Sequence, residues 1–455
     1  MKHTLLNIEE FQTRRLNVLA SMPTGSIAFF PAAKEVTRSN DTEYPFCQNK
    51  NFYYLSGFNE PDALLVLIKD NDNEQQSVLF CRAKDPLQEV WHGRRIGQEN
   101  AIKDYGFDQS YTLDECDEIL LARLNGAKQL HYCFSETQGF GEYQTFGQQI
   151  SQWLVSVKAK VRLGVIAPHA LIDCASVIDE MRLIKSEAEL DIMRQVNNIS
   201  CGAHLRAMER TSIGKFEYQI EAEILHEFAQ HGARFPAYAS IVAGGDNANI
   251  LHYTNNDDVL RDGELLLIDA GGELAGYAAD ITRTFPVNGK FSSEQKVLYQ
   301  LVLDVQNKVI EQIKPNVNFS QLNTFTCEFL TKGLLELGIL SGDLKMLIKD
   351  KACKQYFIHG LGHWLGLDVH DVGDYQSNDA RQQLRAFETG MVMTIEPGLY
   401  IPLNDTRVDE KWRGIGIRIE DNILVTEQGY ENLTINAPKS ISAIERLMAD
   451  AKLSK

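Results

Sequence analysis

The segment Leu265-Leu-Leu-Ile-Asp269-Ala-Gly-Gly-Glu-Leu-Ala-Gly276-Tyr-Ala-Ala-Asp280 decides the fold of the second half of this chain. Its first four residues form an apolar run of strand length, and residues 277–285 are rich in β-branched and aromatic side chains. A glycine-bearing loop separates the two runs. The pattern therefore predicts a β-hairpin that carries two aspartates.

The spacing of Asp269 and Asp280 adds a chemical prediction. A turn centred on Leu274 and Ala275 would leave each aspartate five residues from the turn, directly opposite the other, with the two Cβ atoms roughly 5 Å apart. Two carboxylates held that close must share a proton or bind a cation, because their repulsion has to be cancelled. A solvated, slightly strained hairpin with acidic residues by chance is the alternative, and these residues alone do not decide between the two.

Composition restricts the class of protein. The chain has 455 residues, of which 44% are hydrophobic, so it is long enough for two or more globular domains. Its net charge of −17, without a Lys/Arg block, argues against nucleic acid or an anionic membrane as a partner, since both require positive surface.

The N-terminal region and the cysteines indicate a compartment. Glu9 and Glu10 interrupt the first twenty residues, and no apolar run approaches about 18 residues, so we expect neither a signal peptide nor a transmembrane helix. The eight cysteines form no CxxC pair, which fits reduced thiols better than a disulfide framework. We therefore expect a cytoplasmic protein.

Two domains are expected, at residues 1–175 and 176–455. The first carries strand-like runs at 63–68, 77–81 and 161–166. The second begins with a long amphipathic helix, because Ser186 and Glu189 have the spacing of a capping box ahead of apolar residues at helical intervals. Further elements are predicted as helices at 216–230, 293–313 and 320–337, and as strands at 240–243 and 265–269.

Three histidines mark residues 356–425 as the richest part of the chain in candidate site residues. His359, His363 and His370 fall within twelve positions, whereas the whole chain has only eleven histidines. A single histidine in such an apolar, glycine-rich stretch is usually a satisfied core residue. Three together favour a site.

Two glutamates follow in the same region. Glu396 ends an apolar run and precedes Pro-Gly, so its carboxylate projects where the strand breaks, although a surface glutamate before a turn has the same pattern. Residues 415–425 alternate between apolar and polar, which places Arg418 and Glu420 on one face and Asp421 on the other. A salt-bridged outer face of an amphipathic strand is the alternative.

In this order and context, five residues resemble the metal ligands of the pita-bread metallopeptidases, the family of methionine aminopeptidase, prolidase and aminopeptidase P. The five are Asp269, Asp280, His363, Glu396 and Glu420. The resemblance to the aminopeptidase P branch covers nearly the whole chain, through motifs such as Asn51-Phe-Tyr-Tyr-Leu-Ser-Gly-Phe58, Met181-Arg-Leu-Ile-Lys-Ser-Glu187, His359-Gly-Leu-Gly-His363-Trp-Leu-Gly-Leu-Asp-Val-His370 and Ile395-Glu-Pro-Gly-Leu-Tyr400. It implies an α/β (α+β) fold, with a creatinase-like N-terminal domain followed by a pita-bread catalytic domain.

The resemblance also implies roles for the metal ligands. Asp269 would be terminal to one of two divalent ions, and His363 and Glu396 to the other. Asp280 and Glu420 would bridge both. Four carboxylates and one imidazole suit Mn²⁺ better than a thiolate-bound zinc. A bridging water, deprotonated to hydroxide, would attack the first peptide bond, and Glu396 would carry the proton to the leaving nitrogen.

The implied activity is release of the N-terminal residue from peptides with proline in second position. An Xaa-Pro bond has no N–H and a fixed φ, so it needs a dedicated pocket. By resemblance, His252 and His370 hydrogen-bond the substrate, and His359 lines the proline side near Tyr400.

Two further residues are implied around this pocket. Arg418 would orient Asp269 and extend to Asp41, and Trp91 would cover the site. A plain ion pair for Arg418 and a core position for Trp91 are the alternatives. Residues 374–385, near the expected entrance, differ from the family pattern in length and charge, so the resemblance implies no substrate contacts for them and their role stays open.

Other functions remain open at this point. A prolidase, restricted to Xaa-Pro dipeptides, shares every ligand. A non-catalytic pita-bread protein that binds peptides or proteins usually lacks some of the ligands, and here all five are present. The family also implies a homo-oligomer, a dimer or a tetramer.

Overall fold

The computed structural model describes residues 5–136, 145–376 and 384–453, which fall into two compact units, residues 1–182 and 183–455. The predicted boundary at residue 175 is the first residue of helix Ala175–Leu183, and the units divide at the end of that helix rather than at its start. Among the described residues, no helix is both long and apolar enough to cross a membrane.

The first unit is built on a six-stranded mixed sheet in the order β6-β5-β4-β1-β7-β8. The strands are β1 Ser26–Pro31, β2 Thr37–Ser39, β3 Thr42–Glu43, β4 Leu64–Lys69, β5 Gln75–Cys81, β6 Gln109–Thr112, β7 Gln129–Tyr132 and β8 Ala170–Asp173. The helices are α1 Ile8–Ser21, α2 Lys50–Ser56, α3 Pro86–His92, α4 Gly97–Tyr105, α5 Cys116–Leu124, α6 Phe146–Lys158 and α7 Ala175–Leu183.

One strand prediction in this unit is wrong. Residues 161–166 do not form a strand: Val161–Leu163 is a short 3-10 helix. Gly164 follows it with φ +86°, in the left-handed region, and this conformation ends any extended run.

The second unit combines short antiparallel strands with longer helices. The strands are β9 Phe235–Pro236, β10 Ile241–Gly244, β11 Leu265–Asp269, β12 Gly272–Leu274, β13 Tyr277–Ala278, β14 Thr282–Pro286, β15 Val392–Ile395, β16 Gly398–Ile401, β17 Ile415–Arg418, β18 Asp421–Thr426 and β19 Gly429–Asn432. The helices are α8 Glu187–Arg210, α9 Glu217–Gln230, α10 Ser293–Ile310, α11 Phe319–Glu336, α12 Leu344–Lys349 and α13 Ile441–Leu453.

Helix α8 confirms the capping prediction. The Ser186 hydroxyl accepts a hydrogen bond from the Glu189 N–H, and the Glu189 carboxylate accepts one from the Ser186 N–H. The face of α8 that carries Met193, Val196 and Ala203 is buried in the unit. This helix therefore packs its apolar face into the core of the unit.

The central hairpin forms, but in a different register from the predicted one. Its turn is at Ala275 and Gly276, both with positive φ, rather than at Leu274 and Ala275. As a result Asp269 pairs with Thr282 across the ladder, and the prediction that Asp269 lies directly opposite Asp280 is wrong. Positive φ at both central residues is the geometry of a type I′ turn, whose twist matches that of paired strands.

Candidate metal centre

Strand β11 ends at Asp269, and the return chain brings Asp280 close to it just before β14 begins. The close approach depends on Gly271, because a Cβ atom there would lie 1.7 Å from the carbonyl oxygen of Ala279. Asn422 fixes the backbone of Asp280 by accepting its N–H at 2.9 Å and donating to its carbonyl. The two aspartates therefore converge although they are not register partners.

Tyr238 joins the two carboxylates. Its hydroxyl oxygen lies 2.6 Å from Oδ1 of Asp269 and 2.6 Å from Oδ1 of Asp280. A phenol carries one proton, so it can donate to only one of the two at a time. The second short contact needs another proton or a positive charge.

Glu396 and Glu420 lie in two breaks between strands. Glu396 lies between β15 and β16, and Glu420 lies between β17 and β18. Strand β15 pairs with β18, and β16 pairs with β17, in registers that place residue 396 opposite residue 420. Pro397 has no N–H to continue the ladder beyond Glu396. Both carboxylates therefore project from the same break in the sheet.

His363 stands between these two groups of carboxylates. Its Nε2 lies 3.4 Å from Oδ2 of Asp280 and 3.6 Å from Oε1 of Glu396. Its Nδ1 lies 2.9 Å from the Trp364 carbonyl, so Nδ1 donates there and Nε2 faces the carboxylates. Single ligand atoms of Asp280, His363 and Glu420 all lie within 4.8 Å of one another.

Arg418 supplies a buried positive charge beside this cluster. It donates to Oδ2 of Asp269 at 2.6 Å, to the Thr282 hydroxyl at 3.0 Å and to the Tyr400 hydroxyl at 2.9 Å. The Thr282 hydroxyl in turn donates to Oε2 of Glu420 at 2.6 Å. The alternative prediction, a salt-bridged outer face of an amphipathic strand, is wrong, because Arg418, Glu420 and Asp421 are all buried.

The four carboxyl groups of the cluster differ in how readily they ionise, because burial and nearby charges act on each to a different extent. Burial raises the pKa of Asp280 and, far more, that of Glu420, and nearby carboxylates raise both further. Burial also raises the pKa of Glu396 to about 7. Burial disfavours the charged form of Asp269 as well, but Arg418 and Tyr238 hold its pKa below the usual value.

His363 and His359 differ in how readily they take up a proton. Burial lowers the tendency of His363 to ionise, but its hydrogen bond to Asp280 and the charges of Asp280 and Glu396 outweigh burial and raise its pKa to about 9. Burial and the Arg418 charge lower the pKa of His359 to about 3. His359 is therefore neutral, with Nε2 2.8 Å from the Tyr400 hydroxyl.

The donor set fits divalent cations. Asp280, His363 and Glu420 converge, Tyr238 joins Asp280 to Asp269, and Glu396 lies beside His363, so four carboxyl groups and one imidazole would be available to cations. Oxygen-rich sets with one imidazole suit hard to borderline ions such as Mn²⁺.

The remaining predicted residues lie in different places. His370 is exposed, with its ring centroid 4.1 Å from that of His363, and the charges of His363 and the exposed His252 help burial to lower its pKa. In the first unit, Trp91 is 81% exposed on α3, so it is not a core aromatic, and Asp41 is exposed. Of the entrance segment, residues 377–383 lie outside the described residues.

Several residues that contact the site were missed from the sequence, Asn422 among them. Tyr238 and Thr282 contact the predicted ligands directly, and His204, fully buried on α8, donates from Nε2 to the carbonyl of Ala270 at 3.0 Å, one residue after Asp269. Thr282 could have been found, since it follows Asp280 by two residues in the same motif. Tyr238 and His204 carry no local signal.

The chain is similar to known proteins over nearly its whole length. Residues 191–427 match the model of "Metallopeptidase family M24", and residues 11–132 match "Aminopeptidase P, N-terminal domain". The chain is 46% identical to the Xaa-Pro aminopeptidase of Escherichia coli over 98% of each chain. It is similar to the structure of aminopeptidase P from E. coli with the inhibitor Pro-Leu, with a TM-score of 0.93, 46% identity and coverage of 98% and 99% of the two chains. It is also similar to aminopeptidase PepP of Pseudomonas aeruginosa, with a TM-score of 0.95, 42% identity and coverage of 99% and 100%.

Proposed function

The chain belongs to metallopeptidase family M24, and on this premise we propose how its site releases the N-terminal residue from peptides with proline in second position. It is an Xaa-Pro aminopeptidase with the aminopeptidase P N-terminal domain. The observation that carries the proposal is the convergence of Asp280, His363 and Glu420, with ligand atoms within 4.8 Å of one another.

Five residues would hold two divalent ions, which we propose to be Mn²⁺. They are Asp269, Asp280, His363, Glu396 and Glu420. Ions bound there would supply Lewis-acid polarisation of the scissile carbonyl and of a nucleophilic water. The excess of buried carboxyl groups over buried cations supports this proposal, because two dications would offset that charge.

The chain's own residues would then move the proton and orient the ligands. Glu396 would accept the proton of the nucleophilic water and pass it to the leaving nitrogen, from a carboxylate whose Oε1 lies 3.6 Å from Nε2 of His363. Arg418 keeps Asp269 ionised and fixed through a 2.6 Å contact. Neutral His359, anchored by Tyr400, offers a polar wall without a competing charge.

Exposed histidines would meet the substrate. His252 and His370 are both accessible beside the cluster, so we propose that they hydrogen-bond the peptide. Trp91 would cover the bound peptide, and its 81% exposure leaves its indole available for contact. Alanine substitution of each residue would separate these roles, when the changes in KM and in kcat of each variant are measured against the wild type.

We propose that the enzyme works in the cytoplasm. All eight cysteines are unbridged and seven are buried, which fits the reducing cytoplasm.

We also propose that the chain forms a homo-oligomer, a dimer or a tetramer. Sedimentation velocity would measure its mass in solution. A monomer at micromolar concentration would contradict it.

The decisive experiment uses two peptides. Protein freed of metal by a chelator and reloaded with Mn²⁺ should release the first residue from an Xaa-Pro-Xaa tripeptide, with chromatography of the products as readout. Cleavage of the Xaa-Pro dipeptide alone would identify a prolidase. No cleavage of either peptide, with less than about one metal per chain, would indicate a non-catalytic protein.

A further inference from the structure

A buried ion pair lies outside the ligand set. Nζ of Lys185 lies 3.2 Å from Oδ2 of Asp371, and only 1% of each side chain is exposed. Lys185 belongs to the Met181–Glu187 motif noted in the sequence, which none of the roles above explains. A buried pair is weak evidence of stabilisation, because removing two charges from water costs about as much as their attraction returns. The Lys185–Asp371 pair is therefore better explained by the neighbouring groups that it positions than by a contribution to stability.

The chain around the pair is shaped to admit it. Gly366 lies against the pair so closely that a Cβ atom there would be 2.0 Å from Oδ2 of Asp371 and 3.0 Å from Cε of Lys185. The Lys185 N–H donates to the Gly390 carbonyl at 3.0 Å, which fixes the lysine to the segment that leads into β15. Lys185 is therefore a fixed anchor rather than a flexible surface chain.

Asp371 connects this anchor to two site histidines. Its N–H donates to the Trp364 carbonyl at 3.0 Å, and the same carbonyl faces Nδ1 of His363 at 2.9 Å. Asp371 directly follows His370, whose ring lies 4.1 Å from that of His363. The loop 364–371 is thus held at one end by the single bridge between Trp364 and Met393 of β15, and at the other end by the ion pair.

We propose that Lys185 and Asp371 are positioning residues that set the orientation of His370, and through the Trp364 carbonyl that of His363, for the peptidase reaction. The inference rests on the proposed function, in which His370 contacts the substrate. Neither residue touches the substrate in this scheme. The pair acts by fixing the backbone that carries the imidazole.

The main variant is the double substitution Lys185→Met with Asp371→Asn. Removing one partner alone leaves a buried charge and risks unfolding, whereas removing both charges together is often close to neutral for stability. The matched control is Arg194→Met with Glu431→Gln, which removes a 2.9 Å pair between α8 and β19 whose side chains are 36% and 40% exposed. Thermal unfolding of both variants checks that each is folded.

The kinetic test is a double-mutant cycle with His370→Ala. The Lys185/Asp371 variant should lower kcat/KM for a Xaa-Pro-Xaa peptide at least ~10-fold, since small misplacements of a contact residue are costly. In the His370→Ala background, the same double substitution should cause a clearly smaller loss, because the effect on His370 is gone and only the effect on His363 through the Trp364 carbonyl is left. Equal losses in both backgrounds, or no loss in the first, would overturn the inference.

A second readout does not depend on activity. In metal-free protein, the imidazole Cε1–H resonances of His363 and His370 should shift in the Lys185/Asp371 variant and stay in place in the Arg194/Glu431 control. Unchanged resonances would overturn the inference. Failure of the wild-type protein to cleave any Xaa-Pro peptide, with the resonance shift present, would instead refute the proposed function and leave the positioning contact in place.

Discussion

Arg418 is paired with Asp269 at 2.6 Å, with 5% and 14% of the two side chains exposed. The planar guanidinium also holds Thr282 and Tyr400, so three neighbours depend on one rigid group. The ammonium of lysine has the same charge but cannot reproduce this fork of donors. The pair therefore depends on geometry as well as charge.

Arg418→Lys should weaken metal binding about 10- to 100-fold, which is the usual cost of disturbing a residue that orients a ligand. Calorimetric titration of Mn²⁺ into chelator-treated protein measures the affinity. Arg407→Lys, at a guanidinium whose side chain is 63% exposed, is the control and should leave the affinity unchanged. Equal affinities for both variants would contradict the role of Arg418.

Asp280→Asn should abolish nearly all peptidase activity, because it removes a carboxylate that both proposed ions would share. Metal content should fall below that of the wild type when measured by mass spectrometry after dialysis. Asp409→Asn, at a side chain that is 78% exposed, is the matched control. A variant with near-normal turnover would undo the assignment of Asp280.

His204→Gln should change how stability depends on pH. Burial lowers the pKa of His204 from 6.5 to about 4, so between these values the unfolded chain binds a proton that the folded protein does not. The free energy of unfolding therefore falls as pH falls through this window, by up to about 1.4 kcal/mol for each pH unit. Glutamine keeps a donor for the Ala270 carbonyl but does not titrate, so the decrease should be smaller in the variant.

Urea unfolding of chelator-treated protein at pH 7 and pH 5 measures this difference. Carboxylates titrate in both proteins, so their contribution cancels when the variant is compared with the wild type. His169→Gln, at an exposed histidine, should follow the wild-type curve. Parallel curves for His204→Gln and the wild type would show that His204 does not contribute.

Gly271→Ala should destabilise the second unit by about 3 kcal/mol or more, because the added methyl group would overlap the Ala279 carbonyl. The site should be lost with it, since the overlap would push Asp280 away from Asp269. Gly202→Ala on α8 is the control: its new Cβ would have no neighbour nearer than 3.4 Å. That change should be neutral or stabilising by up to about 1 kcal/mol. Thermal unfolding of both variants measures the two changes in stability, and equal stabilities would contradict the role of Gly271.

Local pattern predicted the elements that build the site. The capping box of Ser186, the strand 265–269 and the carboxylates at strand ends are each encoded by neighbouring residues, so a single sequence is enough to find them. The register of the hairpin was mispredicted because it depends on which residues accept positive φ. Ala275 does so here, a conformation that few non-glycine residues adopt.

Contacts between distant segments could not be predicted. Tyr238 is 31 and 42 residues from the two aspartates that it joins, and the Asp371 side chain reaches a lysine 186 residues away. Nothing in the local sequence of a tyrosine or a lysine tells which carboxylate it will meet. Burial, which sets the pKa values of the cluster, likewise exists only in the folded unit.

The short contacts of Tyr238 with both Asp269 and Asp280 place two carboxyl groups close enough to compete for protons and for cations. Since the carboxyl groups of Asp280 and Glu420 would bind a cation in their deprotonated form, cation binding at this site should strengthen as pH rises. The acidity of the surroundings thereby becomes a regulator of how much of the protein is metallated.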